Sequence, residues 1–113
     1  MARNILTVPR TAKAGEIIEI RALIQHPMET GYRRSSEGAM MARDLIRTFN
    51  CHFFEDGKTG DGEPVFAAKL YAAIAANPYV AFHTTAFARG TFVFVWTGDQ
   101  GFTHTERVPI AVQ

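Results

Sequence analysis

The chain of 113 residues has a single cysteine, Cys51. One thiol makes no internal disulfide and supplies no zinc-finger ligand set. No apolar run reaches the roughly 18 residues that a membrane-crossing helix needs, so no membrane association is expected. The opening stretch MARNILTVPRTAKAG offers Ile5, Leu6 and Val8 as large apolar residues, interrupted by Thr7. A secretory leader needs an apolar stretch of about 7–15 residues, so the chain is expected to carry no export signal of its own. Charge of one sign is also lacking: 12 Lys and Arg against 11 Asp and Glu leave a net +1. The basic residues are scattered, which argues against a nucleic-acid partner. No Gly-rich phosphate cradle and no GxSxG element occurs.

What the chain has is apolar and aromatic weight: 47% hydrophobic residues, with nine Phe. That composition excludes disorder, and the length suits one domain spanning residues 1–113. The apolar residues recur with a period of two. GEIIEIRALIQ sets Ile18, Ile20, Ala22 and Ile24 on one face. RDLIRTFNCHFF groups Leu45, Phe49, Cys51 and Phe53, with Arg47 in the same phase. EPVFAAKL is a shorter run, and NPYVAFHTTAF opposes Val80, Phe82, Thr84 and Ala86 to Tyr79, Ala81, His83, Thr85 and Phe87. GTFVFVW and GFTHTERVPIAV complete the series. ARG and TGDQG are short enough for hairpins. The pattern predicts an all-β chain, an immunoglobulin-like antiparallel β-sandwich of about seven strands. KLYAAIAANP alone has helical tendency, ended by Pro78.

GTFVFVW is apolar on both faces. Phe92, Phe94 and Trp96 would fill the core, which leaves Val93 and Val95 outward, where a loop or a partner would cover them. Few residues suggest chemistry. His26, His52, His83 and His104 lie in separate segments without ligand spacing, so no metal or cofactor is expected. Cys51 is in phase with Phe49 and Phe53, which favours burial over catalysis. Glu55, Asp56, Asp61 and Glu63 cluster among glycines, a calcium-compatible set whose spacing is not that of an EF-hand; a solvated loop is the simpler account. The stretch HPMETGYRR has Pro27, an edge or bulge residue, and Gly31. A hairpin is expected to follow it, with Met28, Met40 and Met41 on its arms. Methionine, Tyr32 and Arg33 are residue types that suit contact surfaces.

HPMETG followed by YRR and RDLI..F.C, then AAIAANPY and GTFVFVWTGDQG, resembles the SoxZ family, the small subunit of the sulfur-carrier heterodimer SoxYZ. The resemblance implies an immunoglobulin-like sandwich and a non-catalytic role in bacterial thiosulfate oxidation. It implies that the partner SoxY holds the sulfur intermediates on a cysteine of its mobile C-terminal arm, while other Sox enzymes visit transiently. It further implies a periplasmic location, reached by co-export with a signal-bearing partner. Self-association is an expectation when SoxY is absent. On this reading the partner-binding residues are His26, Pro27, Met28, Glu29, Thr30, Gly31, Tyr32, Arg33, Val93 and Val95. A free-standing sandwich that binds a ligand, or an enzyme built on Cys51 or a histidine, are the alternatives.

Overall fold

A computed structural model describes residues 3–26, 28, 38, 44–70 and 77–113. Among these residues eight strands form two sheets: β1 (Arg3–Thr7), β2 (Thr11–Ala12), β3 (Glu16–Gln25), β4 (Ile46–Glu55), β5 (Glu63–Lys69), β6 (Tyr79–Ala86), β7 (Gly90–Gly98) and β8 (Thr103–Val112). One sheet has the order β1-β3-β6, the other β2-β8-β7-β4-β5. The fold is the expected immunoglobulin-like sandwich. All pairings are antiparallel except β2 with β8, which run parallel.

The period-two runs explain why the sheets close on each other. Ile18, Ile20, Ala22 and Ile24 of β3 face Phe49 and Cys51 of β4 and Phe92, Phe94 and Trp96 of β7, all buried. Phe49 sits at the centre, its ring 5.0 Å from Trp96 and 6.5 Å from Phe82 across the sheets. Phe66 stacks on Phe82 at 4.4 Å, again from one sheet to the other. Each buried aromatic stabilises the sandwich by about 2–3 kcal/mol, and tilted or offset ring pairs add to this.

Three features differ from the sequence expectation. First, the N-terminal segment contributes two strands, β1 and β2, one to each sheet. Second, ARG is not a hairpin: β6 belongs to the small sheet and β7 to the large one, so the turn carries the chain across the sandwich. TGDQG does join the paired strands β7 and β8, with Gln100 and Gly101 at positive φ. Third, Arg47 leaves the phase of Leu45 and Phe49. The β4–β7 register steps from Ile46↔Gly98 to Thr48↔Thr97, so Arg47 is the extra residue of a bulge. Leu45 and Ile46 are therefore both buried, and Arg47 turns outward to donate from Nε to Asp99 at 2.7 Å. Gly98 faces the bulge, where a Cβ would land on the Leu45 carbonyl. A second bulge offsets β5 near Val65, beside Pro64. Pro64 lacks an N–H, and β5 is an edge strand, where that is tolerated. The expected hairpin after HPMETG and the helical tendency at 71–76 lie outside the described residues.

Candidate docking surface

The outer face of the large sheet is built by four strands in register. Val95 of β7 lies between Asn50 of β4 and Thr105 of β8; Val93 lies between His52 and Arg107. Thr97 is flanked by Thr48 and Thr103, and its hydroxyl is hydrogen-bonded to that of Thr48. Ala67 and Lys69 of β5 extend the face on its far side. Val93 and Val95 are half-buried, and among the described residues their neighbours on this face are those of the flanking strands. The alternation predicted for GTFVFVW holds residue by residue: Phe92, Phe94 and Trp96 inward, Val93 and Val95 outward.

Two cations lie on this face among the described residues. Arg107 and Lys69 stand on it, and neither forms an ion pair with another described residue. The carboxylate of β8, Glu106, points to the opposite side, where it is 3.1 Å from Nε2 of His104. An apolar centre with cations at its margin that pair with no other described residue suits a protein surface that offers apolar side chains and carboxylates.

His26 and Met28 are placed differently. Both are buried, at 6% and 5% exposure. His26 follows the end of β3 and is clasped by Asn77: its N–H donates to Asn77 Oδ1 at 2.9 Å, and Asn77 N–H donates to its carbonyl at 2.8 Å. The two sequence stretches HPMETG and AIAANPY thus meet through paired hydrogen bonds, a contact that neither stretch announces by itself. The imidazole packs edge-on against Phe102 at 5.2 Å, with Nε2 3.4 Å from Asp44. Met28 has φ of 52° and accepts the N–H of Ile46 on its sulfur at 3.2 Å. These side chains anchor the start of the HPMETG segment to the fold. Pro27, Glu29, Thr30, Gly31, Tyr32 and Arg33 lie outside the described residues.

The chemistry candidates are separated in space. Cys51 is fully buried, and desolvation pushes its thiol up to about 12. His52 and His83 lie on the outer faces of different sheets, and His104 on the inner face of β8 beside Trp96. Among the described residues no three His, Cys, Asp or Glu side chains converge as a metal site. In the acidic loop, Glu55 pairs with Lys58 at 3.2 Å and Asp56 with Arg89 at 3.1 Å. That loop borders an open cleft of about 550 Å³, lined by Phe53, Val65, Thr84 and Phe87 among others.

Several solved structures share this fold. Superoxide reductase (neelaredoxin) from Ignicoccus hospitalis matches with a TM-score of 0.78 and 18% identity, covering 97% of this chain and 80% of that one. Superoxide reductase from Nanoarchaeum equitans matches at 0.67 and 12%, covering 95% and 90%. The sulfur carrier protein SoxY from Chlorobium limicola f thiosulfatophilum matches at 0.62 and 11%, covering 97% and 78%. At these identities the likeness is one of fold. No curated protein sequence matches significantly. The family profile described as "Sulphur oxidation protein SoxZ" matches residues 6–109, nearly the whole chain, and the chain belongs to the SoxZ family of sulfur-oxidation proteins.

Proposed function

We propose that this chain is the non-catalytic half of a sulfur-carrier pair, docking SoxY through the outer face of the large sheet. The observation behind this reading is the state of Cys51. A carrier of covalent sulfur needs an accessible thiolate. The only thiol here is fully buried and held protonated well above neutral pH. A sulfur-oxidation protein so equipped supports a reactive thiol that belongs to another chain. The surface around Val93 and Val95, with Arg107 and Lys69 at its margin, has the composition for that support. Placement in the periplasm, thiosulfate as the pathway substrate, and transient visits by other Sox enzymes belong to the same proposal.

Co-expression with SoxY, followed by size and mass measurement, tests it. A one-to-one complex is the expected product, and single charge insertions at Val95 should disrupt it. Two chains that stay apart at micromolar concentration, or turnover of a sulfur compound by this chain alone, would overturn the reading.

A further inference from the structure

Three of the four large exposed apolar side chains among the described residues gather on the other side of the molecule. Ile17 is 70% exposed, Ile5 66%, Tyr79 56% and Phe87 75%. Ile5, Ile17 and Tyr79 point outward from the small sheet, whereas Phe87, just beyond β6, lines the cleft beside the acidic loop. Such a face, exposed and apolar at both ends, marks a contact surface.

The order of residues along β3 identifies the occupant. Its outward positions read Ile17, Glu19, Arg21, Leu23: apolar, acid, base, apolar. Reversed end to end, the pattern matches itself with the charges exchanged. Arg21 Nε donates to Glu19 Oε1 at 2.7 Å, and Glu19 also faces His83 at 3.6 Å, so the charges form one band across the middle. On one side of the band the register aligns Ile5, Leu23 and Tyr79; on the other it aligns Ile17 with Thr85.

We propose that this face is a homotypic interface, where two copies of the chain pack sheet to sheet about a two-fold axis crossing β3 at the level of Ile20. The axis lies in the interface and perpendicular to the strands. It sets Leu23 over the other copy's Ile17 and Arg21 over its Glu19, twice by symmetry. The two intrachain pairs then merge into a ring of alternating charges between two apolar patches. An axis parallel to the strands would instead stack Glu19 on Glu19 and Arg21 on Arg21, which like-charge repulsion forbids. The face lies opposite to Val93 and Val95, so the contact is compatible with a SoxY partner and independent of it. Two carrier pairs would then join back to back through their SoxZ-family chains.

Sedimentation of the full chain, alone and co-purified with SoxY, tests the interface. The chain alone should reach twice its monomer mass, and the complex twice the heterodimer mass. E19R and R21E should each weaken self-association by about a hundredfold or more. Mixing the E19R chain with the R21E chain should restore a dimer, because each then opposes two cations to two carboxylates. I17K, at a highly exposed position, should weaken it as well, and circular dichroism of every variant reports folding. A wild-type chain that stays monomeric, charge variants that self-associate as wild type does, or a mixture that fails to pair would each overturn the proposal. SoxY binding by the variants is read separately: its loss in the wild type would remove the proposed function and leave this interface standing.

Discussion

The backbone N–H of Met28 donates to Nδ1 of His26 at 3.0 Å, so the imidazole bears its proton on Nε2, the nitrogen that faces Asp44. A residue type associated with chemistry here serves as a turn brace. It satisfies a buried donor just where Met28 adopts a left-handed backbone.

H26A should therefore destabilise the fold by about 2–4 kcal/mol, from the orphaned Met28 N–H and the lost packing on Phe102. Urea denaturation followed by Trp96 fluorescence measures this. A change below 0.5 kcal/mol, the ordinary range for surface substitutions, would remove His26 from its structural role.

The β4–β7 bulge depends on a missing side chain. G98A drives a methyl group into the Leu45 carbonyl and should cost about 1–3 kcal/mol. G57A is the informative control. Gly57 has φ of 81° with open space around it, so its penalty comes from backbone conformation alone. Loss at both positions, with local disorder near Arg47 and Asp99 only in G98A, is the expected result by amide-resolved NMR.

Cys51 makes a pH prediction with a definite sign. Burial raises its pKa from the ordinary 9.0 to about 12 in the folded chain. The folded state then holds the thiol proton more tightly than the unfolded one between those values. Its contribution to stability is intact below about pH 9 and declines as pH rises toward 12, by up to about 1.4 kcal/mol per pH unit. C51A should flatten the alkaline part of the stability curve relative to wild type. A thiol reagent at pH 8 should label native Cys51 slowly and the denatured chain at once; rapid native labelling would contradict the burial.

On the large sheet, V95R should weaken the complex with SoxY by about a hundredfold while changing the stability of the chain alone by less than about 1 kcal/mol. R107E should act in the same direction if carboxylates of the partner approach that margin. Calorimetry of each variant against SoxY reads both. Unchanged affinity in V95R would move the docking surface elsewhere.

How much of this was legible in advance follows from what kind of signal each feature leaves. The facing of Phe92, Phe94 and Trp96 against Val93 and Val95 is a matter of alternation, and alternation survives in the sequence. The bulge at Arg47 does not: inserting one residue inverts the phase around it without any change in composition. ARG has the length of a hairpin and of a crossover alike, so only the partner strands distinguish them. The neighbours of His26 in sequence are contact types, but its clasp by Asn77 spans 51 positions, a separation that no local pattern reports. β1 was unreadable for a simpler reason: Ile5 is an exposed apolar residue on a short edge strand, and the alternation of NILT is too brief to register.

The parallel pairing of β2 with β8 has a mechanical consequence. Ala111 N–H donates to Arg10 at 2.9 Å, Gln113 N–H to Ala12 at 3.0 Å, and Ala14 N–H to Gln113 at 3.0 Å. Tension applied at the two flanks of the domain pulls these strands in opposite directions along their length. The bonds then share the load in shear and break together, where an antiparallel pair pulled from one end would unzip bond by bond. This short ladder, two residues of β2 against the end of β8, is thus a shear clamp between the two ends of the fold.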